Sequence, residues 1–240
     1  FGGVPRGLDR QGASYLARDL DLVFRDDHFE AFQRRFFHRV VRQTRFGGVH
    51  LNVEGLEIDA WPLSSTWAFR EQHVQFAAFA NLPKTTFLNA DGIVVEFGTR
   101  PGHPRRVYRD GVDKLEASQE LNIELEENPF PALCVVRSLK LSSDWQIPLG
   151  TRLVEYCLKT MAALPLEAFL EAQAKHYGSV YFDAARLAGL VRGMDQHLSQ
   201  QPTGGFPVRL QQEFWSASVL VQRETPVSRN GLSTSAMGCY

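Results

Sequence analysis

Two aspartates, Asp19 and Asp21, sit inside the run LARDLDLVF, where apolar positions alternate with them. Alternation at a period of two marks a strand with one buried face, so both carboxylates leave the chain on the same side. Two carboxylates a few ångströms apart repel, and each resists ionising beside the other. Magnesium relieves that conflict, because it takes carboxylate oxygens and shares its remaining positions with substrate phosphates. A third carboxylate, Asp59, lies in LEIDAW, where Leu56, Ile58 and Ala60 face one way and Glu57, Asp59 and Trp61 the other. Pairing that strand beside the first completes a two-ion site. One ion lowers the pKa of an attacking hydroxyl and the other steadies a leaving pyrophosphate. Glu57 competes with Asp59 for the ligand role, and Asp19-Leu20-Asp21 taken alone reads as a solvated strand face.

Upstream of the doublet lies the glycine pair Gly2-Gly3. Glycine lets backbone N–H groups come close to phosphate oxygens, and Arg6 in the same loop offers a bidentate phosphate contact. The plainer reading of the pair is a simple turn. The sequence opens at Phe1, directly before the glycines, and the reading expects residues upstream, with a first strand among them.

These groups need elements to hold them. The doublet's strand spans 16–24. A helix is expected over 27–45, with Phe29, Phe32, Phe36 and Val40 as its apolar stripe and Arg34, His38, Arg42 and Arg45 on another face. Gly47-Gly48 ends it. Strands at 49–53 and 56–61 are joined by the Glu54-Gly55 hairpin. A helix follows over 64–80, then strands at 85–88 and 93–97 around the Asn89-Ala90-Asp91-Gly92 turn. Residues 100–109 form a basic loop in which Arg100, Arg105, Arg106 and Arg109 crowd together, which favours a phosphate. Helices are expected at 129–143, 149–162, 165–176, 181–199 and 207–220. The fold class is therefore α+β: a mixed-sheet head over 1–128 and an all-helical neck and body over 129–240.

The order of these features resembles the DNA polymerase β-like nucleotidyltransferases, within them the tRNA nucleotidyltransferase and poly(A) polymerase branch. The resemblance rests on Gly2-Gly3-Val4-Pro5-Arg6, Asp19-Leu20-Asp21 and Glu57-Ile58-Asp59, then on Lys84-Thr85-Thr86-Phe87-Leu88-Asn89-Ala90. It continues through Asp110-Gly111-Val112-Asp113-Lys114-Leu115, taken as the turn before the neck, to the helix carrying Arg137, Leu139 and Lys140. It implies that Asp19 and Asp21 bind both metals and Asp59 the catalytic one. Gly2 and Gly3 would hold the triphosphate, while Asn89 and Arg137 help to bind the nucleotide. The cofactor implied is Mg2+ as two ions, with Mn2+ able to substitute.

Departures from the branch narrow the substrate. Its Arg-Asp after the glycines is Arg6-Gly7 here, and its double arginine and acidic residue are Pro83-Lys84 and Thr85. The Glu-Asp-x-x-Arg element that reads the incoming base is Glu127-Asn128-Pro129-Phe130-Pro131. These changes disfavour CCA addition to tRNA. The expected activity is template-independent transfer of an NMP or dNMP from a nucleoside triphosphate. The acceptor is a nucleic-acid 3′ end, another nucleotide (making an oligonucleotide signal or tail) or a protein side chain. Bacterial defence and toxin–antitoxin systems reuse this head for the last two. A catalytically inactive nucleotide-binding module is the rival, and a protein partner for the helical body fits either.

Composition sets bounds on these readings. A chain of 240 residues, 44% hydrophobic and 22% charged, builds a substantial core. No apolar run reaches membrane-span length, and a cytoplasmic location is expected. Cys134, Cys157 and Cys239 lack metal or disulfide spacing. His50, His73, His103 and His176 lack ligand spacing and read as structural or surface residues. Net charge is −1, so any grip on nucleic acid must come from local patches.

Overall fold

The computed structural model describes residues 1–17, 19–98, 106–200 and 203–209. From the N-terminus the chain forms α1 (Gly3–Gln11), β1 (Asp19–Phe24), α2 (Asp26–Phe36), β2 (Val40–Gln43), β3 (Val49–Val53), β4 (Leu56–Pro62) and the single turn α3 (Trp67–Arg70). A ribbon of β5 (Val94–Glu96) and β6 (Arg106–Tyr108) precedes α4 (Asp110–Ser118). Then come α5 (Pro131–Trp145), α6 (Thr151–Ala163), α7 (Leu166–Tyr177) and α8 (Ala184–Ser199).

The main sheet has the order β1-β4-β3-β2. β1 runs parallel to β4, and the β4–β3 and β3–β2 pairs are antiparallel. This is the expected mixed sheet of an α+β protein, followed along the chain by helices. One face of the sheet buries Val49, Leu51 and Ala60 against Phe29 of α2, with Leu22, Phe24, Phe32, Phe36, Val40 and Ile58 packed around them. The opposite face carries the polar members of the same alternation, Asp19, Asp21, Glu57 and Asp59. The side-chain period of two sends them there once the apolar set is buried.

The expected hairpin at Glu54-Gly55 forms, with both residues in the left-handed region at φ 53 and 88. The expected helix over 27–45, by contrast, stops at Phe36. A 3-10 turn (Phe37–Arg39) leads instead into β2. Val40 and Val41 are β-branched and favour extended backbone, and the free edge of β3 needs hydrogen-bond partners. Val40 still reaches the phenylalanine cluster, now from a strand. Arg42 and Arg45 are consequently not on a helical stripe with Arg34 and His38.

The helix over 64–80 shrinks to α3, because Gln72 and Phe76 take left-handed φ values of 62 and 61. Residues 85–88 are not a ladder strand. A 3-10 segment runs from Phe79 to Thr85, and Leu88 makes a single bridge to Ile123. Residues 110–115, read as a turn, lie within α4. Its Gly111 lies so close to the preceding loop that a Cβ there would meet the Asn89 carbonyl oxygen at 2.5 Å. The helices over 129–199 form with small shifts at their ends. Residues 207–209 are not helical, and 210–220 lie outside the described residues, as do Cys239, His103, Arg100 and Arg105.

Leu51 is 1% exposed at the centre of the sheet's apolar face. Leu51→Ala is expected to lower stability by about 2–5 kcal/mol in urea unfolding, through lost burial and a residual cavity.

Candidate functional site

The polar face of the sheet is fixed by strand register. Across β1 and β4, Asp19 stands opposite Glu57 and Asp21 opposite Asp59. Asp59 in turn stands opposite His50 of β3. The three aspartates expected to share metal therefore share one face on neighbouring strands. Asp59 also has a neighbour that the sequence reading passed over: His50 Nδ1 lies 2.8 Å from Asp59 Oδ1. The hairpin contained this signal. With Val53 opposite Leu56, counting back along both strands brings His50 to Asp59.

The glycine pair sits directly over the doublet. Gly2 has φ +67, and a Cβ there would meet Asp21 Oδ2 at 3.1 Å. A side chain at residue 2 would thus be both strained and in the way. Gly3 opens α1, and its Cβ position lies 4.0 Å from Asp19 Oδ1. The helix start, with its unpaired N–H groups and partial positive charge, is thereby aimed at the carboxylate cluster and the space above it.

That space is a cavity of about 250 Å³. Gly2, Gly3, Asp21, Asp91 and Arg137 line one part of it. Thr85 to Leu88, Asn128, Phe130, Leu133 and Cys134 line the rest. The threonine hydroxyls are committed to the chain: Thr85 donates to the Leu82 carbonyl, and Thr86 to those of Pro83 and Leu88. Asn128 accepts from the Phe130 N–H at 2.9 Å. Burial pushes the Cys134 thiol up to about 12, so it acts as an apolar wall and not as a nucleophile.

Asp91 is the residue that sequence reasoning missed. It was read as half of an Asp-Gly turn, yet its side chain is buried between two guanidiniums. Arg6 of α1 pairs with one of its oxygens and Arg137 of α5 with the other, the latter at 2.8 Å. Neither partner is near it in sequence, and only folding brings them together. Arg6, expected to meet phosphate, and Arg137, expected to help bind the nucleotide, are thus oriented by a shared carboxylate, and together the three groups carry one net positive charge. Asn89 plays a different part from its expected one. Its amide donates to the Glu120 carbonyl and accepts from the N–H groups of Ala90 and Asn122, and it is absent from the cavity wall. It fixes the loop that presents Asp91.

The basic loop is also reassigned where it is described. Arg109 is engaged by three carboxylates, Asp9, Asp113 and Glu116, so its charge is already matched. Arg106 lies on β6.

Electrostatically the cluster is under tension. Burial pushes the Asp21 carboxyl up to about 6, and the charges of Asp19 and Asp59 push the same way, against the first ammonium group and Arg137. Hard oxygen donors crowded on one face, one of them reluctant to ionise, suit a divalent cation. Among the described residues, no group of three or more His, Cys, Asp or Glu side chains is yet drawn together tightly enough to enclose an ion.

Three solved structures share this architecture. One is a tRNA nucleotidyltransferase complexed with a primer tRNA and an incoming ATP analogue (TM-score 0.51, 13% identity, 83% of this chain and 57% of that one). A tRNA-processing enzyme in a complex matches at TM-score 0.54 and 14% identity, over 82% of this chain and 52% of its own. The apo form of a tRNA-processing enzyme gives 0.53 and 15%, over 82% and 54%. The fold is that of the tRNA nucleotidyltransferases. The expected nucleotidyltransferase architecture is therefore present, and the chain spans little more than half the length of these neighbours. The sequence matches no protein-family model and no curated relative. No helix among the described residues is long and apolar enough to cross a membrane.

Removing Asp91 leaves Arg6 and Arg137 facing each other. Asp91→Ala is expected to destabilise toward the low end of the roughly 3–5 kcal/mol for a broken buried pair, because Arg137 keeps some solvent. Denaturant unfolding at neutral pH reads this. Asp21 has a folded pKa above its unfolded value, so its contribution is fully favourable below about pH 4 and is lost as pH rises through about 6. Asp21→Asn is therefore expected to melt higher than the parent protein above pH 6 in metal-free buffer, with the gap closing by pH 4.

Proposed function

We propose that the chain is a magnesium-dependent nucleotidyltransferase that moves an NMP or dNMP from a nucleoside triphosphate to an acceptor hydroxyl. Residues 1–128 act as its catalytic head and 129–240 as its neck and body, and it works in the cytoplasm. The observation that carries this reading is the joint placement of Gly2, Gly3, Asp21 and Arg137 on one cavity, with Asp59 in register beside Asp21.

In this reading the N–H groups at the start of α1 receive the triphosphate, as a helix start over a glycine pair is suited to do. Arg137, held by Asp91, presents guanidinium N–H groups to the same anion, while Arg6, which is absent from the cavity wall, acts at one remove by holding Asp91. The base lies toward Phe87, Asn128, Phe130 and Leu133, away from the carboxylates. Asp19, Asp21 and Asp59 would hold magnesium, which when bound supplies the positive charge that activates the hydroxyl and stabilises the leaving pyrophosphate. The new bond joins the acceptor oxygen to the α-phosphorus. The α–β anhydride bond breaks, pyrophosphate leaves and the hydroxyl proton passes to solvent. Asn89 acts at one remove, by keeping the Asp91 loop in place.

The rival, a nucleotide-binding module without turnover, draws on the His50–Asp59 contact, which engages one carboxylate.

Incubation with each labelled NTP and dNTP plus magnesium, with and without RNA, DNA or protein lysate, tests the proposal. Release of pyrophosphate is expected, abolished by chelator and reduced by at least about a hundredfold in Asp19→Ala and Asp21→Ala, the scale of a lost electrostatic contribution to catalysis. Absence of turnover with every acceptor would leave the binding-module reading in its place. Undiminished turnover by either variant would remove the site assignment.

A further inference from the structure

The chain is nearly neutral, yet its charge is unevenly spread. Residues 34–45 hold five arginines and no Asp or Glu. Among the described residues, Arg35, Arg39, Arg42 and Arg45 have no carboxylate partner, and only Arg34 has one, Glu30 at 3.7 Å. Two apolar side chains stand exposed among them, Phe37 at 78% and Val41 at 63%. A strip of unmatched positive charge repels itself unless an anion covers it.

The strip leads to the candidate site. β2 is the edge strand of the sheet. A register shift between Val40 and Arg42 sets Arg42 opposite His50. An extra residue in a strand re-aims the side chains that follow it, and here it places Arg42 on the polar face while Val40 stays with the core. A single row therefore crosses the sheet: Asp21, Asp59, His50, Arg42. Arg42 stands two strands from Asp59, roughly 10 Å at ordinary strand spacing.

Beyond the strand end, the Arg45 guanidinium lies over the Phe46 ring at 4.4 Å and the Phe130 ring at 4.8 Å. Phe130 in turn lines the cavity that holds Asp21 and Arg137. Positive charge thus continues from the sheet edge to the cavity mouth, with Arg45 and Arg70 over the half-buried Phe46 ring and the exposed Phe130 ring beyond. Guanidiniums interleaved with rings are the surface that single strands use, with phosphates on the charges and bases on the rings.

We propose that this strip seats a single-stranded nucleic acid, with its 3′-terminal hydroxyl at Asp59 and the phosphates behind it on Arg42 and Arg45. The position of the 3′ end rests on the nucleotidyl-transfer reading; the binding itself does not.

The test is fluorescence anisotropy of the full chain with labelled RNA and DNA single strands of about ten nucleotides, without nucleotide or metal. Arg42→Ala/Arg45→Ala is compared with the exposed control pair Lys159→Ala/Lys175→Ala. The arginine variant is expected to bind at least about tenfold more weakly, and its salt slope to fall by about 1.4, the loss of two phosphate contacts on a single strand. The control pair keeps the parent's affinity, and Arg42→Lys/Arg45→Lys keeps its salt slope. No binding by the parent chain overturns the proposal, as does equal binding by the alanine pair. Competition by polyglutamate as effective as that by the oligonucleotide, with the same arginine dependence, overturns it in favour of an acidic protein segment. Binding without pyrophosphate release defeats the enzyme reading alone; pyrophosphate release without binding defeats the strip alone.

Discussion

Asp91 is held by two guanidiniums from elements distant in the chain, Arg6 on the helix that opens with the glycine pair and Arg137 on α5. A carboxylate in that position ties three pieces together: α1, the loop at 89–92, and the first long helix after the strands. Its geometry sets the distance between the glycine backbone and the far wall of the cavity. Loss of Asp91 leaves two guanidiniums without their shared partner in a poorly hydrated place, so the triad is costly to break at its centre whatever its net worth to stability. The rest of the loop is built to serve it. Asn89 uses its whole amide on backbone groups, and Gly92 and Gly111 allow α4 to pack against the loop with no room for a side chain.

The second constraint is the like charge gathered on the polar face of the sheet. Burying Leu51, Ala60 and Phe29 on the other side forces Asp19, Asp21 and Asp59 to remain neighbours, although they repel. The protein carries this strain in Asp21, whose proton is held up to about pH 6 by burial and by its neighbours. Charge of the opposite sign is kept close without cancelling it: the start of α1 above and Arg137 across the cavity. Such an arrangement is suited to a cation and a polyphosphate together, and poorly suited to either empty water or apolar contact.

Much of this was legible in the sequence, because it depends on local periodicity. The alternation in LARDLDLVF and LEIDAW assigns Asp19, Asp21 and Asp59 to the polar faces of two strands, and Glu54-Gly55 closes the hairpin. The helices after residue 129 follow from apolar spacing alone. Where local signals competed, the sequence misled. Phe29, Phe32, Phe36 and Val40 satisfy a helical period across a boundary that the free edge of β3 decides, and the Asn89–Gly92 turn concealed a buried ion-pair centre.

By itself, then, the sequence determined which residues face together within an element, since side-chain direction along a strand or helix is fixed by backbone geometry. The tertiary structure decided which elements meet. Only the parallel register of β1 on β4 puts Asp59 beside Asp21, only the shift in β2 turns Arg42 to the same face, and only the packing of α1 and α5 around the 89–92 loop joins Arg6, Asp91 and Arg137. The first and last of those pairings link residues tens of positions apart. All three are selected by burial of apolar surface and by the cost of unpaired charge across the whole fold, and for the two long-range ones no short window of sequence contains both partners.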